Sequence, residues 1–497
     1  MIFSTRYMIS GLRRFNFRLV ARLVGMLMVV MAVSMVLPFI VSVIYRDGAQ
    51  FDLMISGVLI LSTGLILMNI VGNGAEYELH EKESFWITGL AWLLVPIIGA
   101  IPYLLTGVVD NFTDAAFESF SGFTTTGSSV MVDVDNTPEG LLVWRSLTQW
   151  IGGLGLMLFV IAWLRQLNVG SMQLYDAEFS GTVQRKLHPR LSQGVSRMWR
   201  IYGVISLLLF LLLLACGNGF IDAFCLALST VSTGGFMPHS GGMACYSPAT
   251  LTTLTVFMFL SGINVALMFK LISGNGSALI KDEEFHVYAI IFVCAAILVV
   301  VGFLSEGNPL AYSVQYAFFH VASTISTCGF TMPSPERWPL LVSAVSFVLV
   351  LVGASAGSTG GGIKVKRLML VVKYVYNYLG KILRPHLVRV VKVNGAMVPN
   401  EYVGKVFAFV FLYLCFVVGG AFVLTLCGVD IPNAMCMAAA NISNLGPSTL
   451  LNNLGGSIDY ASLMGVGKWT LITLMVVGRV EIFAILAIFS PAYWRRN

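Results

Sequence analysis

The sequence predicts an all-α polytopic membrane protein: two leading transmembrane helices, then four tandem units of span, short pore helix and span around a central pore. Three observations predict it. The 497 residues are 57% hydrophobic and only 11% charged, with a mean hydropathy of +0.84, far from the composition of an ordinary soluble domain. Apolar runs recur along the chain at lengths of about 19 residues, enough to cross a hydrocarbon core of about 30 Å at about 1.5 Å per residue. A short polar pattern returns four times between such runs, as FTTTGS, VSTGGF, ISTCGF and ISNLGP.

The leading spans are expected at 19–45 and 53–71, in a segment 1–84 that has no polar re-entrant stretch and reads as peripheral. The first is too long for a secretory signal and lacks a small-residue cleavage site, so it reads as a true span. Four units follow, at 85–165, 166–274, 275–392 and 393–497. Their first spans are expected at 85–106, 201–216, 285–304 and 402–427, and their second spans at 141–164, 250–272, 338–383 (interrupted) and 468–489. Each pair encloses a helix of about ten residues, too short to cross, which must enter the membrane and return. The expected total is ten crossing helices and four re-entrant ones.

Asp114, Asp222 and Asn433 stand at one shared offset before the strip glycine, where a helix N-cap belongs; the third unit has Tyr316 there and is expected to use Ser313. Capped in this way, the short helices aim their negative C-terminal ends at the membrane interior, which favours a cation. Basic residues cluster in alternate loops, from Arg6 to Arg18, Arg185 to Arg200, Lys364 to Lys392, and at Arg495 and Arg496, so both termini are expected in the cytoplasm. The net charge of +6 therefore reflects membrane orientation rather than a nucleic-acid surface.

The four strips align on Gly127, Gly235, Gly329 and Gly446. Thr126, Gly234, Cys328 and Leu445 precede these glycines; before them come Thr125, Thr233, Thr327 and Asn444, and before those Thr124, Ser232, Ser326 and Ser443. A strip that aims carbonyl oxygens at an axis needs residues tolerant of positive φ, which is the property of glycine. Such carbonyls can replace the hydration shell of a monovalent cation. The neutral hydroxyl and amide oxygens beside them let an ion leave as well as enter, and no carboxylate stands in register. Gly152, Gly153 and Gly155 read instead as helix-packing glycines, because small residues let helices approach closely in a membrane.

Below the strips, the second span of the third unit breaks at 353–364, where Gly353, Gly357, Gly360, Gly361 and Gly362 with Ser358 and Thr359 cannot hold a continuous helix. The lysine follows Ile363 and no Gly-Lys-Ser/Thr sequence is present, so this is not a nucleotide-binding P-loop. Arg479 enters its own span to a comparable depth, about 17 Å, where a charge must face water or a partner. Glu481, two residues on, does not share its helix face. Arg479 is therefore expected to point into the pore beside the loop. Arg145, near the start of its span, is expected to reach the outer interface. Lys364, Lys366, Arg367, Lys373, Lys381 and Arg384 carry the broken span into the cytoplasm, a plausible lever for a soluble regulator.

Other chemistries have little support. The eight cysteines lack metal-site spacing, and a disulfide is open only to Cys216 and Cys245. His188, His239, His286 and His320 show no HExxH or paired spacing, so neither an enzyme nor a cofactor is expected. Symport coupled to protons or sodium stays open as the alternative to a channel-like pore, although no intramembrane carboxylate relay stands out. Asp133, Asp135 and Glu139 follow the first strip, where they would concentrate cations.

The four strips, the repeated unit and the broken span resemble the Trk/Ktr/HKT superfamily of potassium transport proteins, specifically its TrkH-type membrane subunit, over nearly the whole chain. The resemblance implies potassium uptake by a homodimer in the bacterial inner membrane, with no cofactor and potassium held only at the strips. Gly127, Gly235, Gly329 and Gly446 would correspond to the first glycine of the potassium-channel filter signature, and glycine in all four copies goes with potassium selectivity. The resemblance places the gate in the glycine-rich loop and Arg479, and it implies a cytosolic, nucleotide-binding TrkA-type ring as regulator. Cys328, Asn444 and Leu445 depart from the pattern, so unequal energetics are expected around the ring.

Overall fold

The computed structural model describes residues 17–69, 81–156, 191–331, 339–384, 389–446, 460–480 and 482. Helices α1 (Phe17–Ser34) and α2 (Val36–Tyr45) form one apolar rod, because Met35 between them keeps helical dihedrals, and α3 (Gln50–Asn69) returns beside it. Two glycines permit the close return. A Cβ on Gly25 would lie 2.8 Å from the Gly64 carbonyl oxygen, and one on Gly64 would lie 2.9 Å from that of Gly25. Asp47, in the intervening turn, accepts from Ala49 N at 3.0 Å and from Gly140 N at 2.9 Å, so it fixes the leading pair to the first unit.

That unit comprises α4 (Glu81–Gly99), α5 (Ile101–Leu105), the short α6 (Phe112–Phe123) and α7 (Glu139–Gly153). The second has α8 (Leu191–Ala215), short α9 (Phe220–Val231), α10 (Pro248–Ser261) and α11 (Val265–Ile272). In the third are α12 (Glu283–Ser305), short α13 (Leu310–Ile325), α14 (Leu340–Val352) and α15 (Val365–Leu383); the fourth has α16 (Asn400–Leu426), short α17 (Ile431–Ile442) and α18 (Gly465–Val480). Among the described residues, six helices are long and apolar enough to cross a membrane, or seven with the bent pair α10 and α11. The remaining expected crossings fall on α7 and α18, which border residues outside the described ones, and on the broken α14.

The short helices occupy the centre. In α6 every residue from Ala115 to Phe123 is buried. The surrounding spans bury one side and expose an apolar face, as with Ile55 and Val58 on α3, Val204, Leu208 and Leu211 on α8, and Phe411, Val418 and Phe422 on α16. Such faces suit lipid, the solvent in which a helix with all its backbone bonds made internally is stable.

The structure differs from several expectations. The N-caps are Asn111, Gly219 and Asp430, so Asp114, Asp222 and Asn433 lie at the third helical position. In α6 the Asn111 side chain caps the helix by accepting from Asp114 N at 2.9 Å, and its amide also donates to the Asp114 carboxylate at 2.9 Å, which fixes the capping side chain in place. Helix α13 starts early, after Pro309, so Ser313 lies inside it, buried and capping nothing. Cys216 and Cys245 are both free. The second span of the second unit, expected to be continuous, bends by 109° between α10 and α11. Gly262 ends α10, and the Asn264 side chain starts α11 by accepting from Ala266 N at 2.8 Å.

Candidate functional site

The four short helices end alike. The residue after each C-cap lies in the left-handed region: Thr125 (φ 55°), Thr233 (55°), Thr327 (59°) and Asn444 (53°). Its amide bonds back to Gly122 O, Thr230 O, Thr324 O and Asn441 O, and the next amide reaches Ser121 O, Ser229 O, Ser323 O and Ala440 O, at 2.8 to 3.2 Å throughout. This is the Schellman termination, usually made with glycine. A side chain at that φ costs about 1–2 kcal/mol, and the conformation suits asparagine more readily than a β-branched residue. Asn444 is thus the easier occupant, and the three threonines are held under strain by their surroundings.

Two residues further, Gly127, Gly235, Gly329 and Gly446 return to positive φ, at 80°, 81°, 81° and 76°. Each faces the neighbouring strip. A Cβ on Gly127 would lie 2.2 Å from Gly234 O, one on Gly235 1.9 Å from Cys328 O, one on Gly329 1.9 Å from Leu445 O, and one on Gly446 2.1 Å from Thr126 O. The four contacts close a ring in chain order. The last seam, between the fourth and first units, carries further bonds: Asn444 Nδ2 to Thr126 Oγ1 at 3.0 Å, Ser128 Oγ to Asn441 Oδ1 at 3.0 Å, and Lys468 to Asp114.

The first column of the strips behaves differently. Thr124, Ser232, Ser326 and Ser443 turn their hydroxyls back onto Phe120 O, Ser229 O, Ser323 O and Ala439 O of their own helices. Thr126, Cys328 and Leu445 are buried beside the ring.

Above the ring, Arg145 is 2% exposed and does not reach the outer interface as expected. Its Nε and Nη2 donate to Glu118 Oε1 at 2.9 and 2.7 Å, its Nη1 donates to Met237 O at 3.4 Å, and it lies 4.2 Å from the Phe236 ring centroid. Glu118 also accepts from Val130 N and Ser129 Oγ. Burying a charge is costly unless it is paired and hydrogen-bonded, and each partner here meets that requirement. Sequence reasoning misses Glu118; a lone carboxylate inside an apolar short helix is the signal that could have found it.

His239, in the outer loop of the second unit, bridges Asp135 at 3.0 Å and Asp222 at 3.2 Å. Burial pulls the imidazole pKa down, but its hydrogen bonds to Asp135 and Asp222 and their charges outweigh this and raise it. The hydrogen bonds from His239 and Ser240 lower the Asp135 pKa. A raised imidazole contributes stability fully below its unfolded value of about 6.5 and loses it as pH rises through the folded value. A lowered carboxylate contributes above about 3.9 and loses its share as pH falls through the folded value. We expect wild type to lose thermal stability as pH rises from about 6.5 through the elevated imidazole value, and His239→Gln to lose less. Melting midpoints in detergent across that range check this, and identical slopes would rule out the histidine bridge.

Beneath the ring, the loop between α14 and α15 is a hairpin closed at its neck. Ile363 N donates to Leu351 O at 3.1 Å and Lys364 N to Val352 O at 2.9 Å, while Gly353 and Gly362 cross so closely that a Cβ on either would meet the other's backbone within 2.9 Å. The hairpin docks on the bend of the second unit: Ser355 N donates to Gly262 O and Val265 N to Gly357 O, both at 3.0 Å, and Asn264 Nδ2 donates to Ala356 O at 2.7 Å. The stretch SGIN, Ser261 to Asn264, carries this break in the sequence, and sequence reasoning misses it between its apolar flanks. Glu284, buried at the start of α12, accepts from Ala356 N at 2.5 Å, and its neighbour Glu283 pairs with Lys373 of α15. One helix end thereby holds both the loop and the helix leaving it.

The tip of the loop presses against the strips. Gly361 N donates to Thr327 Oγ1 at 2.8 Å, Thr359 Oγ1 to Val231 O at 3.2 Å, and a Cβ on Gly361 would lie 2.1 Å from Ser443 O. Arg479 completes the contact. Its Nη1 donates to Thr359 O at 2.8 Å, and its Nη2 to Gly152 O and Gly153 O at 2.6 Å each. The guanidinium thus joins the third unit's loop to the carbonyl end of α7, where a helix favours positive charge. A cavity of about 50 Å³ lies between them, bordered by Gly360, Gly361, Asn444, Arg479, Lys364 and Arg367. Ser358 also lines this cavity and donates its hydroxyl to Ser355 O, while Gly357, just before it, packs against Asn264. Glu481 lies outside the described residues.

Residues 54–496 match the family profile described as TrkH, cation transport protein. The chain is 34% identical to the Trk system potassium uptake protein TrkH of Salmonella typhimurium and 33% identical to that of Escherichia coli K12, over 97% of this chain and all of each relative. It is also similar to the crystal structure of the potassium transporter TrkH from Vibrio parahaemolyticus, with a TM-score of 0.86 at 29% identity, covering 97% of this chain and 100% of that one.

Proposed function

Because the chain belongs to the TrkH family of cation transport proteins, we propose that it takes up potassium through a selective, channel-like pore whose filter is the ring of four strips. The closed seam from Gly127 to Gly234, Gly235 to Cys328, Gly329 to Leu445 and Gly446 to Thr126 carries this reading, since it gathers carbonyls from four distant segments at one level. Potassium sheds its water against these strips, helped by the carbonyl ends of the short helices. Each unit, 85–165, 166–274, 275–392 and 393–497, gives one strip, and 1–84 stands outside them.

The gate is the loop with Gly353, Gly357 and Ser358 to Gly362, latched by Arg479. The support is its position directly under Thr327 and Ser443 and its bond to the arginine. A cytosolic TrkA-type ring acts through α15, which carries Lys366, Lys373 and Lys381 away from the loop. The protein works as a homodimer in the bacterial inner membrane with both termini cytoplasmic. This rests on the relatives' part in a Trk system and on the alternation of basic loops.

Uptake of potassium and rubidium by purified protein in liposomes, with and without an imposed membrane potential, tests the reading. Flux that follows the potential and the potassium gradient alone is expected. A reversal potential that also moves with pH or sodium would replace the pore by coupled symport.

A further inference from the structure

We propose that Gln149 tunes the second strip and is a specificity-determining residue of the ring, an inference that rests on the filter reading above. Gln149 belongs to α7 of the first unit, is 0% exposed, and reaches across the seam into the second strip. Its Nε2 donates to Gly234 O at 2.7 Å and its Oε1 accepts from Phe236 N at 3.2 Å, so both ends of one carboxamide bracket Gly235. Gly234 is glycine because that carboxamide fills the place of its side chain: a Cβ there would lie 2.4 Å from Gln149 Cδ and 2.5 Å from Oε1. The other strips carry Thr126, Cys328 and Leu445 at this position. Arg145, one turn earlier on the same helix face, holds Met237 O, so α7 fastens the strip from Gly234 to Met237.

Gly234 O is also one of the four oxygens that meet the ring glycines. Among the described residues, no side chain donates to Thr126 O, Cys328 O or Leu445 O. One oxygen of the four is therefore already hydrogen-bonded. A donor on a carbonyl oxygen draws on its lone pairs and fixes its direction, so that oxygen presents a weaker field to a cation. Field strength and number of coordinating carbonyls decide which ion leaves its water. A weaker field cannot offset the larger hydration cost of sodium, and it favours potassium. The bracket makes the ring unequal in a way that sharpens selectivity, from a residue outside every strip.

The test is Gln149→Met, which keeps length and packing and removes donor and acceptor together. In liposomes the permeability ratio of potassium over sodium should fall about fivefold to tenfold, the size expected for losing one or two net hydrogen bonds. The melting midpoint in potassium relative to that in sodium should shrink as well, a readout that general loosening would not move. Gly127→Ser runs beside it. If Gly127→Ser lowers the ratio and Gln149→Met leaves it at the wild-type value, the bracket is overturned and the filter reading stands. If neither variant moves it, the filter reading itself falls, and the bracket with it. Should Gln149→Met fail to fold, Gln149→Asn, whose carboxamide is one methylene too short to reach Gly234 O, carries the same expectation and the same refutation.

Discussion

Gly127→Ser lowers the preference for potassium over sodium by about tenfold or more in flux measurements on the purified protein. Two independent features produce the effect. At φ 80° an L side chain costs about 1–2 kcal/mol on local grounds. The new Cβ also lies 2.2 Å from Gly234 O and 3.3 Å from the carbonyl carbons of Gly234 and Gly235, all of them backbone, so the second strip has to shift. The damage thus reaches a carbonyl of another unit. Because the Cβ is the offending atom, Gly127→Ala should act as strongly as serine. A permeability ratio unchanged in both variants would remove Gly127 from the filter.

Arg479→Ala raises potassium flux in the absence of any cytosolic regulator, by about tenfold or more. Its guanidinium bonds to three carbonyls, Thr359 O on the loop and Gly152 O and Gly153 O on α7. Hydrogen bonds from a charged group contribute about 1.5–3 kcal/mol each, so losing the latch releases one side of the loop at a cost that matters. The remaining anchors, at Thr327, Asn264 and Glu284, keep the loop in place without closing the path beside α7. Arg479→Lys separates two mechanisms. Lysine keeps the charge but lacks the planar fork, so a latch predicts raised flux and a purely electrostatic barrier predicts little change. Wild-type flux in the alanine variant would leave Arg479 without a gating role.

Local chemistry makes the strips readable, since hydroxyl, polar residue and glycine recurring four times between apolar runs point to one shared site. It also places Arg479 at the depth of the glycine loop, because rise per residue is a reliable ruler within a helix. Contacts between units are not legible in this way. Gln149 and Gly234 belong to different units, and no local pattern announces that the carboxamide of one replaces the side chain of the other. The Glu118–Arg145 pair is hidden for a related reason: Arg145 near a span end reads as a residue that reaches outward, unless its partner on α6 is known. The N-cap error is one of register, since a helix N-terminus favours acids at the third position as well as at the cap. The bend at Gly262 is masked because the flanking segments are apolar enough to read as one span.

The arginine latch has a consequence for how such a pore can be encoded. A ring assembled from four copies of one polypeptide would present four guanidinium groups at that level or none. Four charges facing one axis would repel both each other and the passing ion. On the gating reading proposed above, fusing the quarters into a single chain lets one of them differ, so the arginine of one unit can latch the path and be withdrawn by moving one loop. On that reading the tandem chain is what makes a single-residue lock possible, and the repulsion that fourfold symmetry would impose is avoided because Arg479 needs no counterpart in the other three quarters.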